Sequence, residues 1–156
     1  MTAFAQRSEV SYLLVAEPKI GAMRKAILQA HATGPNNQTY PVEDGFVTVA
    51  VNKDNIETVG GRGRSLPTFD FTEPSFTQDD ARLRARDLAL KGLSQGDPRT
   101  NGYVERNIDE IFAAKNVTYQ EVLSGGQRAR KVITRAAEFS VRRDGTIEVS
   151  KIMHVD

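Results

Sequence analysis

The sequence predicts an α+β fold: a small mixed sheet packed with about three helices, in a single domain spanning residues 1–156. Three observations carry that expectation. The chain is long enough to bury one core and short enough to need no second. Runs of β-forming residues lie near 9–16, 46–52 and 138–153. Between them, apolar residues recur at helical spacing in 79–93 and 103–115.

Taken in order, "EVSYLLVAE" at 9–17 reads as a strand that stops before Pro18. Leu13–Ala16 do not alternate with polar residues, so the strand is expected to be buried. A helix is predicted over 19–32. Pro18 suits its first turn, Gly34 its stop, and Ile20, Met23, Ile27 and Ala30 fall on one helical face. "GPNNQTYPVEDG" then reads as a turn-rich loop, and "FVTVAV" opens the strand at 46–52.

Residues 53–78 read as a long extended arm. Gly60, Gly61 and Gly63 loosen its backbone, while Leu66, Phe69, Phe71 and Phe76 supply apolar groups that need a surface. A helix follows over 79–93, with Asp79 and Asp80 at its positive end. Val104, Ile108, Ile111 and Phe112 mark the helix at 103–115, capped by Thr100 or Asn101. Thr118 and Glu121 have capping-box spacing, which predicts a short helical turn at 119–124 ended by Gly125-Gly126. Residues 127–137 suit helix or strand equally. Asp144-Gly145 between β-rich runs predicts the hairpin at 138–153.

Composition narrows the function classes. Cysteine is absent and the histidines are His31 and His154. Disulfides, cysteine nucleophiles and multi-His metal centres are therefore excluded, unless carboxylates complete a metal site. The pairs Asp79-Asp80 and Asp109-Glu110 are helix neighbours whose side chains diverge by about 100°, so neither forms an acid/base couple. The expectation is a non-enzymatic chain without metal or cofactor. No apolar run reaches the roughly 20 residues of a membrane helix. "MTAFAQRSEV" has no apolar core of signal-peptide length, so a cytoplasmic or virion setting is expected rather than secretion by a signal peptide.

"LSGGQRAR", Leu123–Arg130, resembles the signature motif of ABC-type ATPases. That family's motif works beside a phosphate-cradling loop, and no G-x-x-x-x-G-K-[ST] occurs in this sequence. The segment is accordingly read as a Gly-Gly break leading into basic residues. "GGRGR", residues 60–64, resembles flexible Arg-Gly segments that track single strands.

Two functions follow. The first is a structural or interaction subunit of a larger oligomeric assembly, such as a virion head, connector or tail. Its protein partners would be docked through Leu66, Phe69, Phe71 and Phe76. The alternative is a nucleic-acid-binding accessory protein using Arg62, Arg64, Arg128, Arg130, Lys131 and Arg135, whose phosphate contacts would make binding salt-sensitive.

Overall fold

A computed structural model describes residues 7–21, 23–52, 58–62, 66–93 and 97–153. The chain divides into two compact units, Met1–Phe71 and Thr72–Asp156. Strands outnumber helices: nine strands stand against three short α-helices among the described residues. The expectation of a small sheet is overturned.

The first unit contains β1 (Val10–Ala16), β2 (Lys19–Ile20), β3 (Met23–Thr33), β4 (Thr39–Asn52) and β5 (Thr58–Arg62). Its pairings are antiparallel, with β3 flanked by β1 and β4, β2 on β3, and β5 on β4. The helix predicted over 19–32 is thus a strand. Its spacing also fits period two. Ala26, Leu28, Ala30 and Ala32 share one face, and Lys25, Ile27, Gln29 and His31 the other. A partner strand with a long matching register, Met23↔Asn52 to Thr33↔Thr39, satisfies the backbone non-locally and outweighs helical propensity.

The predicted loop after Gly34 is shorter than expected. Asn37 takes the positive-φ turn position (φ 63) and β4 begins at Thr39. Register then slips between Gln29 and His31. Gly45 sits at this irregularity because a Cβ there would lie 2.9 Å from the Cβ atoms of both Ala30 and Val42. Among the described residues, Ala30, Ala32, Tyr40, Val42 and Val47 are the buried apolar side chains of this unit.

The second unit begins with α1 (Gln78–Lys91), α2 (Pro98–Arg106) and α3 (Ile108–Ile111). Thr77 and Asp80 close a capping box: Thr77 Oγ1 accepts from Asp80 N, and Asp80 Oδ2 accepts from Thr77 N, each at 3.1 Å. Ala81, Ala85 and Ala89 face inward, and their small side chains let the helix lie close to the core. The single helix predicted over 103–115 is two. Asp97 caps α2 through Thr100, Pro98 takes its first turn, and Asn107 breaks it by donating its side-chain amide to Tyr103 O at 2.8 Å.

A meander completes this unit: β6 (Thr118–Ser124), β7 (Gln127–Ile133), β8 (Ala137–Arg142) and β9 (Ile147–Ile152). The helical turn predicted at 119–124 is β6, and the undecided stretch 127–137 holds β7 and a turn. Gly125 and Gly126 both have positive φ, 60° and 82°, between the paired residues Ser124 and Gln127. That is the two-residue hairpin turn that a Gly-Gly pair favours. Thr134 ties the β7–β8 turn, donating to Ala137 O and accepting from the amides of Ala136 and Ala137. Phe139, Ile111, Val104, Val132 and Val141 are fully buried in the core, with the Phe112 ring 5.7 Å from that of Phe139.

The extended arm of 53–78 is not one element. Thr58–Arg62 is β5, Leu66–Phe71 belongs to the first unit, and Phe76 to the second. Residues 53–57 and 63–65 of that stretch lie outside the described residues. Among the described residues no helix is long and apolar enough to cross a membrane.

Candidate docking edge

The aromatic residues of the expected arm are seated within the units that hold them. Arg7 Nη1 donates to the carbonyls of Leu66 and Pro67, and its guanidinium lies 4.9 Å from the Phe69 ring centre. Phe69 meets Phe71 edge-on at 6.0 Å, and Phe71 lies 6.1 Å from Tyr40. Phe71 also fills the space over Gly34, where a Cβ would come within 2.8 Å of its ring. Phe76 is buried, with Arg84 and Arg130 at 4.8 and 5.7 Å from its ring centre.

The four basic residues expected to contact phosphates in the second unit, Arg128, Arg130, Lys131 and Arg135, are each matched to a carboxylate. Arg128 donates to Glu121 Oε1 at 2.7 Å, and Arg130 reaches Glu121 Oε2 at 3.3 Å. Arg130 also holds the Phe76 carbonyl and approaches Glu73 at 3.6 Å. Lys131 pairs with Glu138 at 3.1 Å. Arg135 binds Glu110 and the Tyr103 hydroxyl, each at 3.0 Å. The hydrogen bond from Arg135 holds the Glu110 carboxyl below the usual glutamate range, and Glu110 raises Arg135 in turn.

Arg128 and Arg130, two apart on β7, share one sheet face and converge on Glu121, whereas Lys131 lies on the other face with Glu138. Arg62 lies in β5 opposite Thr48; Arg64 and His154 lie outside the described residues. Ser124, at the motif that resembles an ATPase signature, is buried and accepts from Arg142 Nε at 3.0 Å. Among the described residues no cluster of His, Asp or Glu is placed to hold a metal ion.

The surface feature that needs explaining lies elsewhere, on β1. Leu13, Leu14 and Val15 are 52%, 53% and 50% exposed, the most open large apolar side chains among the described residues. The strand was expected to be buried; its apolar run is instead uncovered. Among the described residues β1 has one neighbouring strand, β3, so its other side is an edge.

Register places these side chains on both faces. Leu13 lies opposite Gln29, which lies opposite Phe46, giving one row with an exposed apolar residue at each end. Leu14 lies opposite Leu28 and then Val47, on the other face. A bulge between Leu14 and Ala16 sets Val15 out of the ladder. Val10–Ala16 carries no charged residue and no proline; Glu9, Glu17, Pro18 and Lys19 flank it. Edge strands are ordinarily guarded by such residues within the strand. Apart from the bulge, this one is unguarded. Sequence reasoning missed it because an apolar, non-alternating strand reads identically whether it is covered on both faces or on neither.

No family model, no curated protein and no solved structure matches the chain.

Proposed function

We propose that this chain is a structural or interaction subunit of a larger assembly, docking through the β1 edge of its first unit. The observation that carries the reading is the run of Leu13, Leu14 and Val15, half-exposed on both faces of an uncharged edge strand. Isolated exposed apolar residues are ordinary; three in sequence along an edge are the pattern of a contact surface.

Magnitudes decide how the edge would be used. Covering a half-exposed Leu or Val contributes about 1 kcal/mol, so the three together give roughly 3 kcal/mol. Association costs about 4 kcal/mol or more before any net affinity appears. Side-chain burial alone therefore falls short. Adding the backbone hydrogen bonds of a new strand closes the gap, which favours strand addition along β1 over docking onto one face.

A hydrophobic dye tests the reading. The wild-type chain should enhance dye fluorescence, and Leu13→Lys with Val15→Lys should remove most of that signal while circular dichroism stays unchanged. Equal dye binding by the two proteins would sink it. The nucleic-acid reading draws no support from Arg128, Arg130, Lys131 and Arg135, each of which already has a carboxylate within its own unit.

A further inference from the structure

We infer that the first unit carries a second binding surface, a face of its sheet that takes single-stranded nucleic acid. Charge is the first observation. The strands β2, β3 and β5 and the stretch 46–52 of β4 hold Lys19, Arg24, Lys25 and Arg62, and not one Asp or Glu. Among the described residues, Lys19, Arg24 and Lys25 pair with no carboxylate. Arg128, Arg130, Lys131 and Arg135, by contrast, are each neutralised within their own unit. Lys19 and Arg24 are exposed and stand directly opposite each other in the β2–β3 ladder. Such a like-charge rung costs stability, and an anion lying against it removes the cost.

Register defines the face. Lys25, Ala50 and Gly60 form one row across β3, β4 and β5, and Ile27, Thr48 and Arg62 the next. Leu13, Gln29 and Phe46 form a third row on the same side of the sheet. Ala50 and Gly60 make a low floor beside Lys25, over which a sugar-phosphate backbone can pass close to the sheet. Phe46 is 47% exposed and lies roughly 13 Å along β4 from Ala50, four residues at about 3.3 Å each. An open ring beside unpaired cations on one face is the arrangement a single strand uses: phosphates meet the cations and a base stacks on the ring. A duplex would meet the same cations but keep its bases from Phe46. The inference does not rest on the docking edge, which uses the backbone of β1 rather than this face.

Fluorescence anisotropy of a labelled oligodeoxythymidylate, titrated with the full chain over a salt series, tests it. Each phosphate contact contributes about 0.7 to the slope of log K against log salt for a single strand. Lys25→Gln should flatten that slope by about 0.7 and weaken binding about fivefold to tenfold at low salt. Phe46→Ala should weaken binding about tenfold with the slope unchanged, because stacking releases no counterions. Lys91→Gln removes a cation from the last turn of α1, in the second unit, and should change neither. Lys25→Arg keeps the charge and should keep the wild-type slope, and circular dichroism checks that each variant is folded. No binding at low salt, equal losses from Lys25→Gln and Lys91→Gln, or no effect of Phe46→Ala would overturn the inference. So would equally tight binding of a duplex or of polyglutamate, which would mark a surface that reads negative charge alone. The double substitution Leu13→Lys with Val15→Lys, which removes the docking edge, should leave the Phe46 dependence in place, so the two readings fail separately.

Discussion

Glu121 should be the most costly single carboxylate to remove from the second unit. It accepts from two arginines, Arg128 at 2.7 Å and Arg130 at 3.3 Å. Their side chains are 7% and 13% exposed, against 33% for Glu121 itself. Removing one partner of a buried ion pair costs about 3–5 kcal/mol. The partial exposure of Glu121 and the second acceptor of Arg130, the Phe76 carbonyl, reduce that figure. Glu121→Gln should therefore destabilise by about 2–3 kcal/mol, a value intermediate between buried and surface pairs. Glu110→Gln breaks a pair of comparable length, Arg135–Glu110 at 3.0 Å, but at the open surface. It should leave the unfolding midpoint nearly unchanged. Urea denaturation followed by circular dichroism, with both variants measured at the same ionic strength, makes the comparison. If the two substitutions shift the midpoint equally, burial is not what gives the Glu121 pair its weight, and the reasoning fails.

Three further outcomes follow from the geometry. Gly34→Ala should lower stability by about 1–3 kcal/mol, because its Cβ would meet the Phe71 ring at 2.8 Å; Phe71→Ala in the same chain should make the added methyl harmless, measured by thermal melting. Gly125→Ala should lower stability by about 1–2 kcal/mol through its positive φ, and the Arg142 guanidinium, 3.0 Å from the new Cβ, adds to the loss; paired urea melts check it. Asp97 is held below the usual aspartate range, first by the hydrogen bond from the Thr100 hydroxyl and then by the Thr100 amide. A lowered folded-state value contributes stability above the ordinary aspartate range and loses it as pH falls through the folded value. The stability gap between wild type and Asp97→Asn should accordingly narrow on acidification, followed by melting temperature across a pH series.

What the sequence disclosed depended on how local the cause was. Helix α1 was legible because Thr77, Asp79 and Asp80 act within one turn. The hairpin around Asp144-Gly145 was legible for the same reason: the Asp144 carboxylate accepts from Thr146 N at 2.9 Å, three residues from start to finish. Strand β3 was misread because Ile20, Met23, Ile27 and Ala30 fit a helical face, while the pairing that makes it a strand comes from residues 39–52. The Gly125-Gly126 turn was misread differently. Its hairpin signal was present, but Thr118 and Glu121 offered a competing capping pattern that β6 never uses. For the candidate edge, composition reveals that Leu13–Ala16 are apolar. Whether anything covers them is decided by the placement of other strands, which no local pattern records. The carboxylate partners of the basic run at 128–135 were equally hidden, since they lie as far away in sequence as Glu73.

The wiring of the strands has a kinetic consequence. From β6 to β9 each strand pairs with the next one along the chain, and β3 with β4 likewise, so each ladder closes across a short turn. Little loop-closure entropy is lost before native contacts form. Such low contact order places these sheets among the faster β structures to fold, and lets each ladder zip as soon as its second strand leaves the ribosome. The strands that reach the final sheet first are also the ones least often left open to stray partners.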